Sequence, residues 1–300
     1  MKPKTAFVVL SYNTKKLTSQ CIDSLKIAGG KNLRIIVVDN NSSDGSQEML
    51  KVRKDIEYLS LKNNLGFTGG NNYGIRHCLE KGYKFIGIIN SDTIVDKDFL
   101  QPLVNQLKFK PDTGLVGPKI YFYPGKEYHR NRYKSSEKGK VIWSVGGNID
   151  WDNIYASNRG IDEVDHGQYD KISETDFVSG CCLVATSDTW KKIDLFDERY
   201  YLYYEDADLS QKSKNIGLIN VCVPQSKIWH INAGSSKVGG DLHDYFITRN
   251  RLLFGIKWAS ARAKLSLIRE SLKLLLKGRQ YQKRGIKDFY LLNFGKGSWK

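Results

Sequence analysis

The chain has 300 residues, 40% of them hydrophobic, enough to bury a substantial core in one large domain or one domain plus an appendage. No apolar run reaches the ~18 residues of a membrane-spanning helix, and five cysteines without CxxC spacing exclude a disulfide framework or a zinc site and suit a reducing, cytoplasmic compartment. The net charge of +15 is lopsided: over residues 249–300, fourteen Lys and Arg face two acids, a net of +12, which reads as a basic tail for an anionic surface.

Met1-Lys2-Pro3-Lys4 runs straight into the first strand-like stretch, so no signal peptide is expected. Four apolar runs then end in polar clusters. Residues 6–10 precede Ser11-Tyr12-Asn13, and 35–38 precede Asp39-Asn40-Asn41-Ser42. Residues 56–61 precede Asn63-Asn64-Leu65-Gly66, and 85–89 precede Asn90-Ser91-Asp92. Helices are predicted between them: at 15–27 with Thr14 as cap, at 47–52 opened by Asp44-Gly45-Ser46, and from Gly69-Gly70 to about Glu80. This alternation implies right-handed parallel crossovers. In such sheets ligands bind outside the carboxyl ends of the strands, so the polar clusters read as the rim of a site.

Residues 119–140, rich in Tyr, Lys and Arg, read as a long loop over that site, and order resumes at 143–148. Residues 177–185 form an apolar strand, interrupted by Ser179-Gly180, that would lie beneath the ligand. The aromatic run 200–204 leads into Glu205-Asp206-Ala207-Asp208, which opens a helix ending near Gly217. Another strand is expected at 219–223, with Trp229-His230 shortly after. Residues 244–277 read as helical. Leu265, Ile268, Leu272 and Leu275 recur at helical spacing among Arg262, Lys264, Arg269, Lys273 and Lys277, a stripe that serves a membrane surface or packing equally well.

Several of these residues suggest chemistry. Asp39 at a strand end can accept hydrogen bonds from a ribose or base, or simply close its own turn. The Gly- and Asn-rich run 64–72 could bring backbone N–H groups to a phosphate or sugar, although it is neither a P-loop nor a GxGxxG loop. Asn90-Ser91-Asp92 suits a hard cation whose other ligands are diphosphate oxygens, or Asp92 simply caps the next segment. Glu205, Asp206 and Asp208 exceed what a helix start needs, and with the aromatic run they resemble a sugar subsite with a general base. Glu205 and Asp208 share a helix face, whereas Asp206 points elsewhere. A lone histidine such as His230 is more often structural than a ligand, but it would suit a metal if Asp92 lay beside it.

Taken in order, Ser11-Tyr12-Asn13, the run from Val38 to Ser46, the 64–72 block, Asn90-Ser91-Asp92 and Glu205-Asp206-Ala207-Asp208-Leu209 resemble the family 2 glycosyltransferases with the GT-A fold. More narrowly they are similar to the bacterial rhamnosyltransferase-like branch, and the likeness runs on through Trp229-His230 and Arg249-Asn250-Arg251. The resemblance implies an α/β fold with a mostly parallel central sheet flanked by helices. Residues 1–243 would form the GT-A domain, divided into a nucleotide-sugar-binding half at 1–118 and an acceptor-binding, catalytic half at 119–243. A basic amphipathic helical extension would occupy 244–300.

By the same resemblance, the enzyme would move a sugar to a glycan or lipid-linked glycan with inversion, in cell-surface polysaccharide synthesis. The donor would be dTDP-rhamnose, or else a UDP-hexose. Ser11, Asn13, Asp39, Asn41, Asn64, Gly66, Gly70, Asn71, Ser91 and Asp92 would bind it. Asp92 matches the last carboxylate of the family's DxD. Asn90 at the first position leaves one fewer charge on Mg²⁺ or Mn²⁺, and His230 would complete the metal shell. Asp206 matches the catalytic base, Glu205 would orient the acceptor alongside Trp143 and Tyr204, and Asp208 would support the structure. An anionic membrane surface at the inner face is the expected partner of 249–300; a homo-oligomer stays open and no nucleic acid is expected. A nucleotidyltransferase would need glycine after the first strand, where Ser11-Tyr12-Asn13-Thr14 has none. A nucleic-acid-binding protein would use the basic tail, with the aromatic and basic residues of 121–133 in support, but it leaves the acids unexplained.

Overall fold

The computed structural model of the chain describes residues 4–129, 131–231 and 240–299. Its first half alternates β1 (Thr5–Ser11), α1 (Lys15–Gly29), β2 (Leu33–Asp39), α2 (Ser46–Lys51), β3 (Glu57–Ser60), α3 (Gly66–Glu80) and β4 (Phe85–Asn90). β1, β2 and β4 are rich in Val and Ile because helices cover both faces of a parallel sheet. α1 buries Thr18, Cys21, Ile22 and Leu25, one face of a 3.6-residue period. Thr14 precedes α1 without capping it; Asp44 Oδ2 accepts from the Lys15 N–H at 2.9 Å instead.

α3 begins at Gly66, so Gly69 and Gly70, expected ahead of the helix, lie in its first turns. Packing requires them there. A Cβ at Gly70 would overlap Leu10 Cδ1, and one at Gly74 would overlap Val8 Cγ1. The helix therefore rests close on β1 and β2.

The chain continues through β5 (Thr93–Val95), α4 (Leu100–Phe109), β6 (Thr113–Phe122), β7 (Ile142–Ser144), β8 (Gly147–Asp150) and β9 (Tyr155–Asn158). Next come β10 (Ser173–Glu174), β11 (Cys182–Thr186), α5 (Ser187–Lys192), α6 (Glu205–Asn215) and β12 (Ile219–His230). The main sheet runs β10-β12-β6-β11-β4-β1-β2-β3, with β5 on β12 and β7 on β6; β8 and β9 form a separate hairpin. Pairing is parallel from β3 to β4 and between β12 and β6. β11 is inserted antiparallel between β4 and β6, which makes the second half mixed. Apolar clusters fill both faces of the sheet.

Residues 119–122, expected in a loop, are the buried end of β6. Lys119 Nζ lies 2.7 Å from Asp165 and 2.8 Å from Asp170, and Tyr121 OH donates to Asp165 at 2.5 Å. A pattern that looked like surface is thus a buried pin for the loop at 162–172. Among the described residues, 123–140 hold neither helix nor strand, as expected.

The helical stretch expected at 244–277 is two helices, α7 (Asp241–Trp258) and α8 (Ala261–Lys277), and a third, α9 (Gln280–Tyr290), follows within the helical extension expected over 244–300. Ser260 breaks the run, its hydroxyl accepting from the Ala263 N–H. Leu252, Leu253 and Phe254 of α7, Ala263 and Leu267 of α8 and Ile286 of α9 share one core with Tyr200, Tyr204 and Ala207. The C-terminal helices are packed into the protein at this point.

Candidate active site

A groove of about 940 Å³ opens where the ends of β4 and β12 meet the turn before β11 and the start of α6. Sheet register assembles one wall. His230, the last residue of β12, pairs with Thr93 of β5, and the Ile231 N–H donates to the Asp92 carbonyl at 2.8 Å. His230 Nε2 consequently lies 3.1 Å from Asp92 Oδ1 across 138 positions of sequence. Burial opposes ionisation of Asp92, but the imidazole and a backbone N–H outweigh it and hold the carboxyl below its ordinary range. Trp143 stands edge-to-face on His230 with ring centroids 4.9 Å apart, and His230 Nδ1 is buried without a partner.

Asp92 and His230 fit a divalent cation. Neighbouring ligands about 2.1 Å from one small octahedral ion lie roughly 3 Å apart, and Mg²⁺ habitually takes one or two protein groups and completes its shell with substrate phosphates. No group of three or more His, Cys, Asp or Glu able to hold a metal occurs among the described residues. Two protein groups would leave the rest of such an ion's shell to other oxygens.

The other wall is the start of α6. Asp206 Oδ2 accepts from the Gly180 N–H at 2.9 Å, and Oδ1 from the Ala207 N–H at 2.8 Å. Burial raises its pKa, and these two donors pull against that rise. Glu205 is buried, with Oε2 unpartnered. Burial first, and then the neighbouring Asp206 charge, push Glu205 well above the ordinary carboxyl range. Of the two neighbouring carboxyls, Glu205 is pushed up by burial and by the adjacent charge, whereas the rise of Asp206 is opposed by its backbone donors. Asp208 takes no part: Lys257 lies 2.7 Å from it and Trp258 Nε1 donates to it at 2.7 Å, tying α6 to α7.

The segment leading into Glu205 is unusual. Tyr201, Tyr203 and Tyr204 all have left-handed backbones, at φ 64°, 71° and 68°. α7 holds them. Asn250 Nδ2 points at the carbonyls of Tyr200, Leu202 and Tyr203, at 2.9, 2.7 and 2.9 Å. Arg249, fully buried, donates to the Tyr200 carbonyl at 2.9 Å and to the Gly295 carbonyl at 2.8 Å. From the other side, the Phe67 N–H at the start of α3 donates to the Tyr201 carbonyl at 2.8 Å.

Asp92, His230, Trp143, Tyr204, Glu205 and Asp206 thus line one groove. Tyr204 contributes its ring; its hydroxyl is spent on the Ile154 carbonyl at 2.8 Å. The remaining predicted residues lie at neighbouring strand ends or in the first turns of α3, outside that lining. Asp39 is fully buried at the end of β2, with Oδ2 accepting from the Ser42 N–H and Oδ1 unpartnered. Ser11 bonds Thr18, Ser91 bonds Thr14, and Asn13 bonds Ser43, so these three brace the rim. Asn41 is exposed at φ 67°. Asn64 Oδ1 accepts from Asn40 and from the Gly66 N–H, stapling two strand ends together. Gly66 holds φ 72° and a Cβ there would overlap the Tyr201 ring. Asn71 donates to the Phe67 carbonyl.

His243 and Ile247 of α7 and Phe67 of α3 also line the groove and were not foreseen. His243 meets the Tyr203 ring at 5.8 Å, and burial lowers its pKa. Nothing local in the sequence links position 243 to 203.

The model of the family described as Glycosyl transferase family 2 matches residues 6–191. An N-acetylglucosaminyl-diphospho-decaprenol L-rhamnosyltransferase of Mycobacterium tuberculosis is 23% identical over 242 residues, 76% of each chain. A low-salt glycan biosynthesis hexosyltransferase of Haloferax volcanii is 21% identical over 220 residues, 73% of this chain and 66% of that one. Among solved structures, GalNAc-T7 with UDP, GalNAc and Mn²⁺ superposes with a TM-score of 0.66 at 12% identity, covering 96% of this chain and 56% of that one. Staphylococcus aureus TarS superposes at 0.55 with 14% identity, covering 93% and 44%. The chain spans about half the length of these two solved chains, and at such identities the likeness shows the GT-A fold.

Proposed function

The chain belongs to glycosyl transferase family 2, and from that premise we propose that it moves one sugar from a nucleotide diphosphate to a hydroxyl of a glycan or lipid-linked glycan. The donor we favour is dTDP-rhamnose, with UDP-hexoses as the other candidates, in line with the named rhamnosyltransferase relative. The observation that carries the reading is Asp206, gripped by two backbone N–H groups on a groove whose other wall presents Asp92 and His230.

In this reading Asp206 takes the proton of the acceptor hydroxyl while that oxygen bonds to the anomeric carbon. The bond to the diphosphate breaks on the opposite face, so a single displacement inverts the configuration. Mg²⁺ or Mn²⁺ held by Asp92 and His230 would supply positive charge to the departing diphosphate. Protonated Glu205 can hold the acceptor by donating a hydrogen bond, with Trp143, Tyr204 and His243 as walls. Asp39, through its unpartnered oxygen, would meet the base or ribose.

The reading is tested by thermal stabilisation with UDP, dTDP, GDP and ADP, each with and without Mg²⁺ or Mn²⁺. A ligand that binds the folded state raises its apparent stability by mass action. Stabilisation by dTDP or UDP alone, lost on chelation, is expected. No shift with any of the four would overturn the donor assignment.

A further inference from the structure

The C-terminal helices present two unlike faces. α8 packs inward through Ala263, Leu267 and Ser271. Outward it shows Leu265, Leu272 and Leu276, the last 78% exposed. At 3.6 residues per turn these three fall within an arc of roughly 40°. Arg262, Arg269 and Lys273, all exposed, lie beside that ridge. A hydrogen bond of 2.7 Å between Ser271 and Tyr290 brings the end of α9 alongside the middle of α8. There Leu291 and Leu292 are 76% and 75% exposed, and Leu292 holds a left-handed backbone at φ 55°.

Charge decides what covers this face. The two acids of residues 249–300 are both engaged within the fold. Glu270 receives Arg251 at 2.8 Å through each oxygen, and Asp288 is buried against Tyr245 and the Ser298 N–H. The outer face is left apolar and cationic. A second copy seated on it would bring two sets of cations together, and nucleic acid would leave the leucines unburied. Apolar side chains that enter the acyl boundary beside cations that meet anionic headgroups match a lipid leaflet.

We propose that the outer face of α8 docks this protein on the anionic surface of a lipid bilayer. Arg249 and Arg251 take no part, being buried in the fold. The proposal concerns where the enzyme works and stands independently of the transfer reaction.

The test is co-sedimentation of the full chain with vesicles of phosphatidylcholine, alone or with about 30% phosphatidylglycerol, at about 50 and 500 mM salt. Partition should be at least about tenfold stronger to the anionic vesicles and weaken at high salt. L272E/L276E and R269E/K273E should each lower it about tenfold or more, with thermal midpoint and stabilisation by nucleotide unchanged. Equal partition to neutral vesicles, or wild-type partition by both variants, would overturn the proposal. So would a dimer, by sedimentation equilibrium, that the leucine variant dissolves. Nucleotide stabilisation measured on the same samples separates failure of docking from failure of the donor assignment.

Discussion

Asn250 donates its side-chain amide to the Leu202 carbonyl at 2.7 Å, so a helix near the C-terminus fixes the backbone that delivers Glu205 and Asp206 to the groove. Three tyrosines in that backbone sit in the left-handed region, where each non-glycine residue costs of order 1–3 kcal/mol and persists only when its surroundings hold it.

Asn250→Ala is therefore expected to lower kcat for transfer by roughly 10²-fold, as small misplacements of catalytic groups do. The donor KM and stabilisation by nucleotide should stay near wild type, since Asp39 and Asp92 lie on other elements. A variant that loses kcat and nucleotide binding in proportion would show general unfolding and refute the positioning role.

Asp206→Asn keeps the shape and removes the proposed base. Transfer should fall by about 10²–10⁴-fold, with the fold and nucleotide stabilisation intact. Wild-type turnover would remove Asp206 from the reaction.

Glu205 predicts a pH effect on stability. Its folded pKa is raised, so the native state keeps a proton that the unfolded chain releases at ordinary carboxyl pH. Stability contributed by that proton is present below the unfolded pKa and is lost as pH rises towards the folded one. Glu205→Gln cannot lose the proton. Its thermal midpoint should match wild type near pH 4 and exceed it by a few degrees at pH 8, since ~1 kcal/mol moves a chain of this size by roughly 2 °C. A gap that is constant with pH would mean that Glu205 is ionised in the fold.

Much of this was legible in sequence because it is local. Strand ends, helix faces and the acids at 205–208 declare themselves by period and by turn chemistry. Asp92 and His230 could be suspected as a pair on the condition that they lie together, and the pairing of β5 with β12 is what brings them there. Lys119 was read as surface because its two aspartates lie 46 and 51 positions away, and sequence shows the charge without the partners. Arg249 and Arg251 were counted as tail charge for the same reason. Gly69 and Gly70 were read as loop glycines, although a missing Cβ serves close helix packing as well as it serves a ligand.

The core that joins Tyr200, Tyr204 and Ala207 to Leu252, Phe254 and Leu267 bears on how such enzymes can be recombined. That core includes residues on both sides of position 243. A hybrid that took its catalytic portion from one parent and its last sixty residues from another would inherit tyrosines shaped for a different helix, and would lose turnover before it lost its fold. Residues 199–208 and 241–297 have to be exchanged together, as one heritable piece.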